Sequence, residues 1–154
     1  MRKIELLAPA KDYETAIDAI DCGADAVYIG GAKFGARHSA TNTIDDIARV
    51  ARYAHRYGAK VYATLNTLLF DNELEEARSQ AMRLVEAGVD ALIVQDMAYC
   101  RMDLPIELHA STQTNCVTAE KVKFFEEVGF ARAILERSLS KEQIDDIRKA
   151  TTIE

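Results

Sequence analysis

Four times along this chain an amphipathic stretch ends in glycine and runs straight into a short apolar segment: AIDAIDCGADAVYIGG, VARYAHRYGAKVYATLN, MRLVEAGVDALIVQD and KFFEEVGFARAILER. The glycines are Gly23, Gly58, Gly88 and Gly129. Glycine after a helix supplies the left-handed residue that closes it. The apolar segments that follow, Ala26–Ile29, Lys60–Leu65, Ala91–Val94 and Ala131–Leu135, are short and mostly apolar. Strands buried on both faces of a parallel sheet have this character. Ile4–Leu7 and Ile106–Leu108 bring the strands to six. Helices are predicted over Asp12–Asp21, Ile44–Tyr57, Asn72–Ala87, Val117–Val128 and Lys141–Lys149. Thr43, Asp71 and Ser140 stand at helix starts, and Ser140 with Gln143 forms a capping box. Such alternation implies a parallel sheet with right-handed crossovers.

Two architectures meet this pattern. A doubly wound sheet of five or six strands is complete at 154 residues. A (β/α) barrel of TIM type needs eight strands and typically ~250 residues. The closing KATTIE leaves a helix and turns apolar again at Ile153, where a doubly wound domain would more often end on a covering helix. The chain is therefore read as residues 1–154 of a single TIM-like barrel, ending after about six β/α units where a seventh strand begins. Such a piece exposes sheet edges at its first and sixth strands, which oligomerisation would relieve.

The net charge of −6 argues against an autonomous nucleic-acid module, since those are usually strongly basic. It does not exclude a basic patch within a larger protein. Cys22, Cys100 and Cys116 share no short metal-ligand spacing and suit free thiols in a reducing cytoplasm. Met1-Arg2-Lys3 leads directly into the first strand with no signal peptide. No apolar run approaches the ~18 residues of a membrane span. A cytoplasmic domain is expected.

Function in such folds sits at the carboxyl ends of strands, and polar residues collect there. Strand two is followed by Gly30, Gly31, Arg37 and His38. Strand three gives Asn66, strand four Gln95 and Asp96, and strand six Glu136, Arg137 and Ser138. Strand five runs into the polar segment His109-Ala110-Ser111-Thr112-Gln113-Thr114-Asn115. Each residue has an ordinary reading beside a chemical one. Gly30-Gly31 lacks a phosphate-loop pattern and reads as a tight turn. Glu5, within strand one, is either an acid or base facing the barrel centre or the partner of an arginine. His109 is either catalytic or a hydrogen-bonded structural histidine. Asp96 and Arg137 form a structural ion pair or clamp an anionic group. Cys116 is read as incidental. No G-x-S-x-G elbow or HExxH helix is present, and Ser39 and Ser111 stand among polar neighbours with no evidence of an activating base.

Together, ELLAPAKDYETAIDAIDCGADAVYIGGAKFGARHSATNT, HRYGAKVYATLNTLL, GVDALIVQDM and IELHASTQTN resemble the amino-terminal region of peptidase family U32, the collagenase-like proteins. The resemblance covers Ile4–Glu154. Within the family, FGARH, HRYGAK, VDALIVQDM and ELHASTQ look most like the branch that makes hydroxycytidine in large-subunit ribosomal RNA. That branch implies hydroxylation without molecular oxygen, an iron–sulfur cluster in the full-length protein, prephenate as co-substrate and ribosomal RNA as partner. Hydroxylation of tRNA uridine and peptidase activity are the enzymatic alternatives, and a doubly wound binding module the non-enzymatic one. The cluster-bearing signature would begin at Ile153-Glu154, so this stretch carries no metal ligands and is expected to be inactive alone. Arg137 is followed by Ser138 where relatives usually carry Glu, which leaves that carboxylate's role open. The resemblance implies catalytic roles for His109, Asp96, Glu5 and Arg137. It implies substrate binding by Tyr28, Gly30, Gly31, Arg37, Asn66, Ser111, Thr112 and Gln113.

Overall fold

The computed structural model describes residues 4–31, 33–36 and 42–154. Six parallel strands, β1 (Leu7–Ala10), β2 (Ala26–Gly30), β3 (Lys60–Leu65), β4 (Ala91–Val94), β5 (Glu107–Ala110) and β6 (Arg132–Ala133), lie side by side in sequence order. Five helices connect and follow them: α1 (Tyr13–Asp21), α2 (Ile44–Arg56), α3 (Leu74–Glu86), α4 (Ala119–Glu127) and α5 (Lys141–Ala150). Between β4 and β5 the chain makes a 3-10 turn, Met97–Arg101, instead of a helix. A sheet whose order never reverses has no switch point, so the doubly wound alternative is set aside.

Local chemistry accounts for the boundaries. Asp12 caps α1 by accepting from Thr15 N, and capping boxes of Thr43 with Asp46 and Ser140 with Gln143 open α2 and α5. Gly23, Gly58, Gly88 and Gly129 follow α1 to α4 with φ of +97°, +71°, +89° and +99°, the left-handed geometry expected of them. Several boundaries differ from the sequence reading; β6, for one, keeps two residues of the segment Ala131–Leu135 expected to form it. α3 begins at Leu74, after a 3-10 turn over Asp71–Glu73, and β1 lies three residues later than Ile4–Leu7. Leu6 meets the strand-two segment through its carbonyl, which accepts from Asp25 N and Ala26 N, and pairing proper starts at Leu7 with Ala26. The strand thereby takes in Pro9, tolerated because β1 is an edge strand in this sheet.

Side chains alternate between two layers. Val27, Ile29, Val61, Ala63, Leu65, Leu92 and Val94 pack outward against Ala16, Ile47, Val50, Ala77, Leu84 and their neighbours on the helices. Ala26, Tyr62, Ala91 and Ile93 point inward and meet Leu7, Tyr28 and Ile134.

The sheet is curled. Laid flat, β1 and β6 would stand roughly 24 Å apart at the usual strand spacing. Instead Arg132 Nη1 on β6 lies 2.7 Å from Oε1 of Glu5, just before β1. The in-register row through Arg132 passes His109, Ile93, Thr64 and Gly30 and leads past Ala10 toward Lys11. The residue Arg132 touches is Glu5, earlier in the chain. An offset in this sense is the stagger of tilted barrel strands. β1 and β6 are not hydrogen-bonded to each other, so the sheet is an open half-barrel. Next to β6, Glu154 N donates to Ala131 O and Glu154 O accepts from Ala133 N. That is parallel pairing at the position predicted for a seventh strand. Among the described residues no helix is long and apolar enough to cross a membrane.

Candidate functional site

A cleft of about 560 Å³ opens at the carboxyl ends of the strands. Small residues (Ala10, Gly30, Gly35 and Ala36) form much of its wall, and Lys11, Tyr28, Thr64, Asn66, Thr112 and Gln113 supply its functional groups. Two asparagines hold the walls. Asn42, buried, donates from Nδ2 to Lys11 O and Gly30 O, both at 2.8 Å, and so ties β1 to β2. Asn66 accepts from Ala36 N at 3.0 Å, and its Nδ2 reaches Ser111 Oγ at 3.5 Å.

The polar run after β5 divides its labour. Ser111 Oγ accepts from Gln113 N at 3.2 Å, capping the 3-10 turn Thr112–Thr114. Thr114, buried, donates to Ser111 O at 2.7 Å, and Asn115 ends the turn with φ +58°. Thr112 and Gln113 are left to line the cleft. Asn42 and Lys11 were not singled out from the sequence. Asn42 sits in an unpatterned polar stretch, while Lys11 directly follows the strand end and could have been found by carrying β1 through Ala10.

The expected catalytic set does not converge on this cleft. Asp96 accepts from Leu69 N at 2.9 Å and Ala98 N at 2.8 Å, so both oxygens cap backbone. It forms no ion pair with Arg137, which is exposed past β6. Gly31 is buried, and a side chain there would meet Gln80 and Ile47 rather than the cleft. Arg37 and His38 lie outside the described residues. Glu5 precedes β1 instead of lying within it. Its carboxylate accepts from Arg132 Nη1 and from Tyr62 Oη at 2.8 Å, so the arginine-partner reading of Glu5 is the observed one. Burial alone would raise this carboxyl, but Arg132 and Tyr62 outweigh it and hold it below its ordinary value.

His109 is inside β5, with its ring edge-on to Tyr62 at 4.9 Å between centroids. Burial, and then the Arg132 charge, push its pKa down to about 4, so the imidazole is neutral near pH 7. Among the described residues its buried Nδ1 has no partner, and a Glu107 oxygen lies 3.7 Å from Nε2. Glu5, Tyr62, His109 and Arg132 thus form one polar cluster in the barrel interior, below the cleft. Tyr62 and Arg132 were not foreseen, because each sits in an otherwise apolar strand.

The chain as a whole finds counterparts among known proteins. The description Peptidase family U32 matches residues 11–154. The chain belongs to peptidase family U32. It is 55% identical over 150 residues to the 23S rRNA 5-hydroxycytidine C2501 synthase of Escherichia coli (strain K12), covering 97% of this chain and 23% of that protein. It is 37% identical to tRNA hydroxylation protein P1 of Bacillus subtilis (strain 168), covering 99% of this chain and 37% of that one. Both relatives are therefore much longer than this U32 chain. In fold it is similar to the solved structure of the U32 peptidase Mk0906, with a TM-score of 0.80 at 14% identity, covering all of this chain and 68% of that one.

The cysteines of this U32 chain do not fit an iron–sulfur cluster. Cys22 is exposed at the end of α1, Cys100 lies in the turn after β4, and Cys116 is buried. Burial raises the Cys100 and Cys116 thiols, and Thr114 Oγ1 lies 3.0 Å from Cys116 Sγ. Among the described residues no three of His, Cys, Asp or Glu converge as a metal site.

Proposed function

We propose that this chain is the substrate-holding part of an RNA-modifying enzyme that hydroxylates a cytidine of large-subunit ribosomal RNA. The observation that carries the reading is the 55% identity, over nearly the whole chain, to the rRNA hydroxycytidine synthase. The chemistry of the cleft supports it. A nucleobase offers two flat faces and an edge of donors and acceptors, and an enzyme acting on one must take it out of its stack. Here Tyr28 provides a ring for stacking. Asn66, Thr64, Thr112 and Gln113 supply uncharged donors and acceptors, and Lys11 a cation for a phosphate. The space is of the size usual for small-molecule sites.

In this reading the six strands are part of a TIM-type barrel that further strands of the longer protein complete, covering the edges that would otherwise drive self-association. The iron–sulfur cluster is supplied by residues outside this stretch. Prephenate, the proposed oxygen source, is a dicarboxylate that Lys11 of the cleft would attract. This chain's own residues bind and orient the base and exclude water from it. Peptidase activity draws less support, since Ser111 Oγ is engaged by Gln113 N and Asn66 Nδ2 and not by a histidine.

Nucleoside mass spectrometry of ribosomal RNA from cells lacking the full-length gene tests the reading. Hydroxycytidine should vanish, return with the wild-type gene, and return poorly with Tyr28→Ala, since base–aromatic stacking contributes about 1–3 kcal/mol. Hydroxycytidine persisting without the gene refutes it, and altered tRNA nucleosides in those cells would move the substrate to tRNA.

A further inference from the structure

The outer face of α2 carries an unusual stripe. Counting from Arg49 at i, i+3, i+4, i+7 and i+8, it reads Arg49, Arg52, Tyr53, Arg56 and Tyr57. Such positions share one side of a helix. The opposite side, Ile47, Val50, Ala51 and Ala54, is buried against the sheet, so the three arginines are exposed, while Tyr53 packs at the edge of the core. No acidic residue occurs from Ile47 to Tyr57. The outer faces of the other long helices mix signs, as with Glu75, Glu76, Arg78 and Arg83 on α3 or Lys141, Glu142, Asp146 and Lys149 on α5.

The stripe is organised rather than merely solvated. The Arg49 guanidinium stacks on Tyr13 of α1, 4.1 Å from the ring centroid. Tyr53 and Tyr57 are 4.9 Å apart, and Tyr53 Oη donates to Asp21 at 2.7 Å. Arg49 Nη1 also lies 3.6 Å from Asp46 Oδ1, while the other Asp46 oxygen accepts from Thr43 N and Oγ1. Among the described residues no carboxylate pairs with Arg52 or Arg56. Tyr13, Arg49, Arg52, Tyr53 and Arg56 line a shallow depression of about 200 Å³. Tyr13 comes two residues after Lys11 of the cleft, and from there the arginines run down α2; the charged residues of α1 itself, Glu14, Asp18 and Asp21, are acidic.

We infer that the arginine-rich face of α2 is a landing surface for the sugar–phosphate backbone of the RNA whose target base enters the cleft. This rests on the RNA reading proposed above. A chain of net charge −6 repels RNA as a whole, so attraction has to come from a local concentration of cations. Arginine stacked on tyrosine keeps its in-plane donors free for bidentate contact with phosphate. Tyrosines interleaved with the arginines add stacking and hydroxyl contacts to sugars and unpaired bases. An acidic protein segment would meet the charges but has no use for the rings.

The test uses the full-length protein and ribosomal RNA lacking the modification, with filter binding across a salt series. Arg49→Gln, Arg52→Gln and Arg56→Gln combined should weaken binding by about 10-fold or more and lower the salt slope by roughly 2 to 3, about one for each phosphate that is no longer neutralised. A control of equal charge change, Lys123→Gln, Lys141→Gln and Lys149→Gln on α4 and α5, should leave the slope unchanged. Circular dichroism melting confirms that both variants fold. A triple arginine variant with wild-type affinity and slope overturns the inference while the RNA reading stands. So does an equal loss in the control, which would mean only net charge matters. Wild type with no affinity for RNA overturns both. Polyglutamate binding that depends on the three arginines, with RNA binding unaffected, assigns the surface to an acidic protein and overturns the inference.

Discussion

Replacing Arg132 with alanine should be among the more damaging single changes in this chain. Arg132 is 13% exposed and Glu5 20%, so the pair lies largely out of water. Its Nη1 serves Glu5 and its Nη2 serves Glu154 at 2.7 Å each, while its plane lies over Tyr62 at 5.2 Å. Alanine leaves the Glu5 carboxylate with Tyr62 Oη as its remaining donor of those two, in a half-closed barrel. Stranding one partner of a buried pair costs about 3–5 kcal/mol. The residual exposure of Glu5 argues for the lower end, about 3 kcal/mol. Replacing both ends with apolar groups, Glu5→Leu with Arg132→Met, should cost less than Arg132→Ala alone, since no charge is stranded in the interior and the other carboxylate that Arg132 serves, Glu154, is 45% exposed. Calorimetry of the full-length variants measures both, provided the barrel transition is resolved. The dependence on pH adds a check of sign. Glu5 is held below its ordinary pKa, so its contribution is complete above about pH 4.5 and is lost as pH falls through the lowered value. Wild type and Glu5→Gln should therefore converge in stability at low pH. If Arg132→Ala costs under about 1 kcal/mol, the pair behaves as a surface ion pair and the reasoning about the interior fails.

Two further outcomes follow from the same geometry. His109, with its pKa lowered to about 4 against an ordinary ~6.5, contributes stability that is whole above pH 6.5 and drains away as pH falls toward 4; His109→Gln should flatten the melting temperature across that window, and an unchanged profile would remove the buried neutral imidazole. Asp96→Ala should cost about 1–2 kcal/mol as a lost cap, with Asp96→Asn restoring much of it; an alanine variant that melts normally yet cannot modify RNA would make Asp96 a chemical group after all.

Much of the fold was legible because it depends on local rules. Helix–glycine–strand recurrence gave the number and order of the elements, and capping residues such as Thr43 and Ser140 placed helix starts. The strand ends also announced where to look, and Tyr28, Gly30, Asn66, Thr112 and Gln113 do line one cleft. What the sequence could not disclose depends on direction and curvature. Whether the carboxylate of Asp96 faces a substrate or two backbone amides is set by the loop around Leu69, which no local pattern specifies. Glu5 and Arg132, far apart in the chain and on opposite edges of the sheet, meet because tilted strands curl. Only that curling turns an acid in the first segment and an arginine in the sixth strand into one partly buried pair. Periodicity in the chain therefore determined which elements form, and the stagger of the closing sheet decided which of their polar residues face one another.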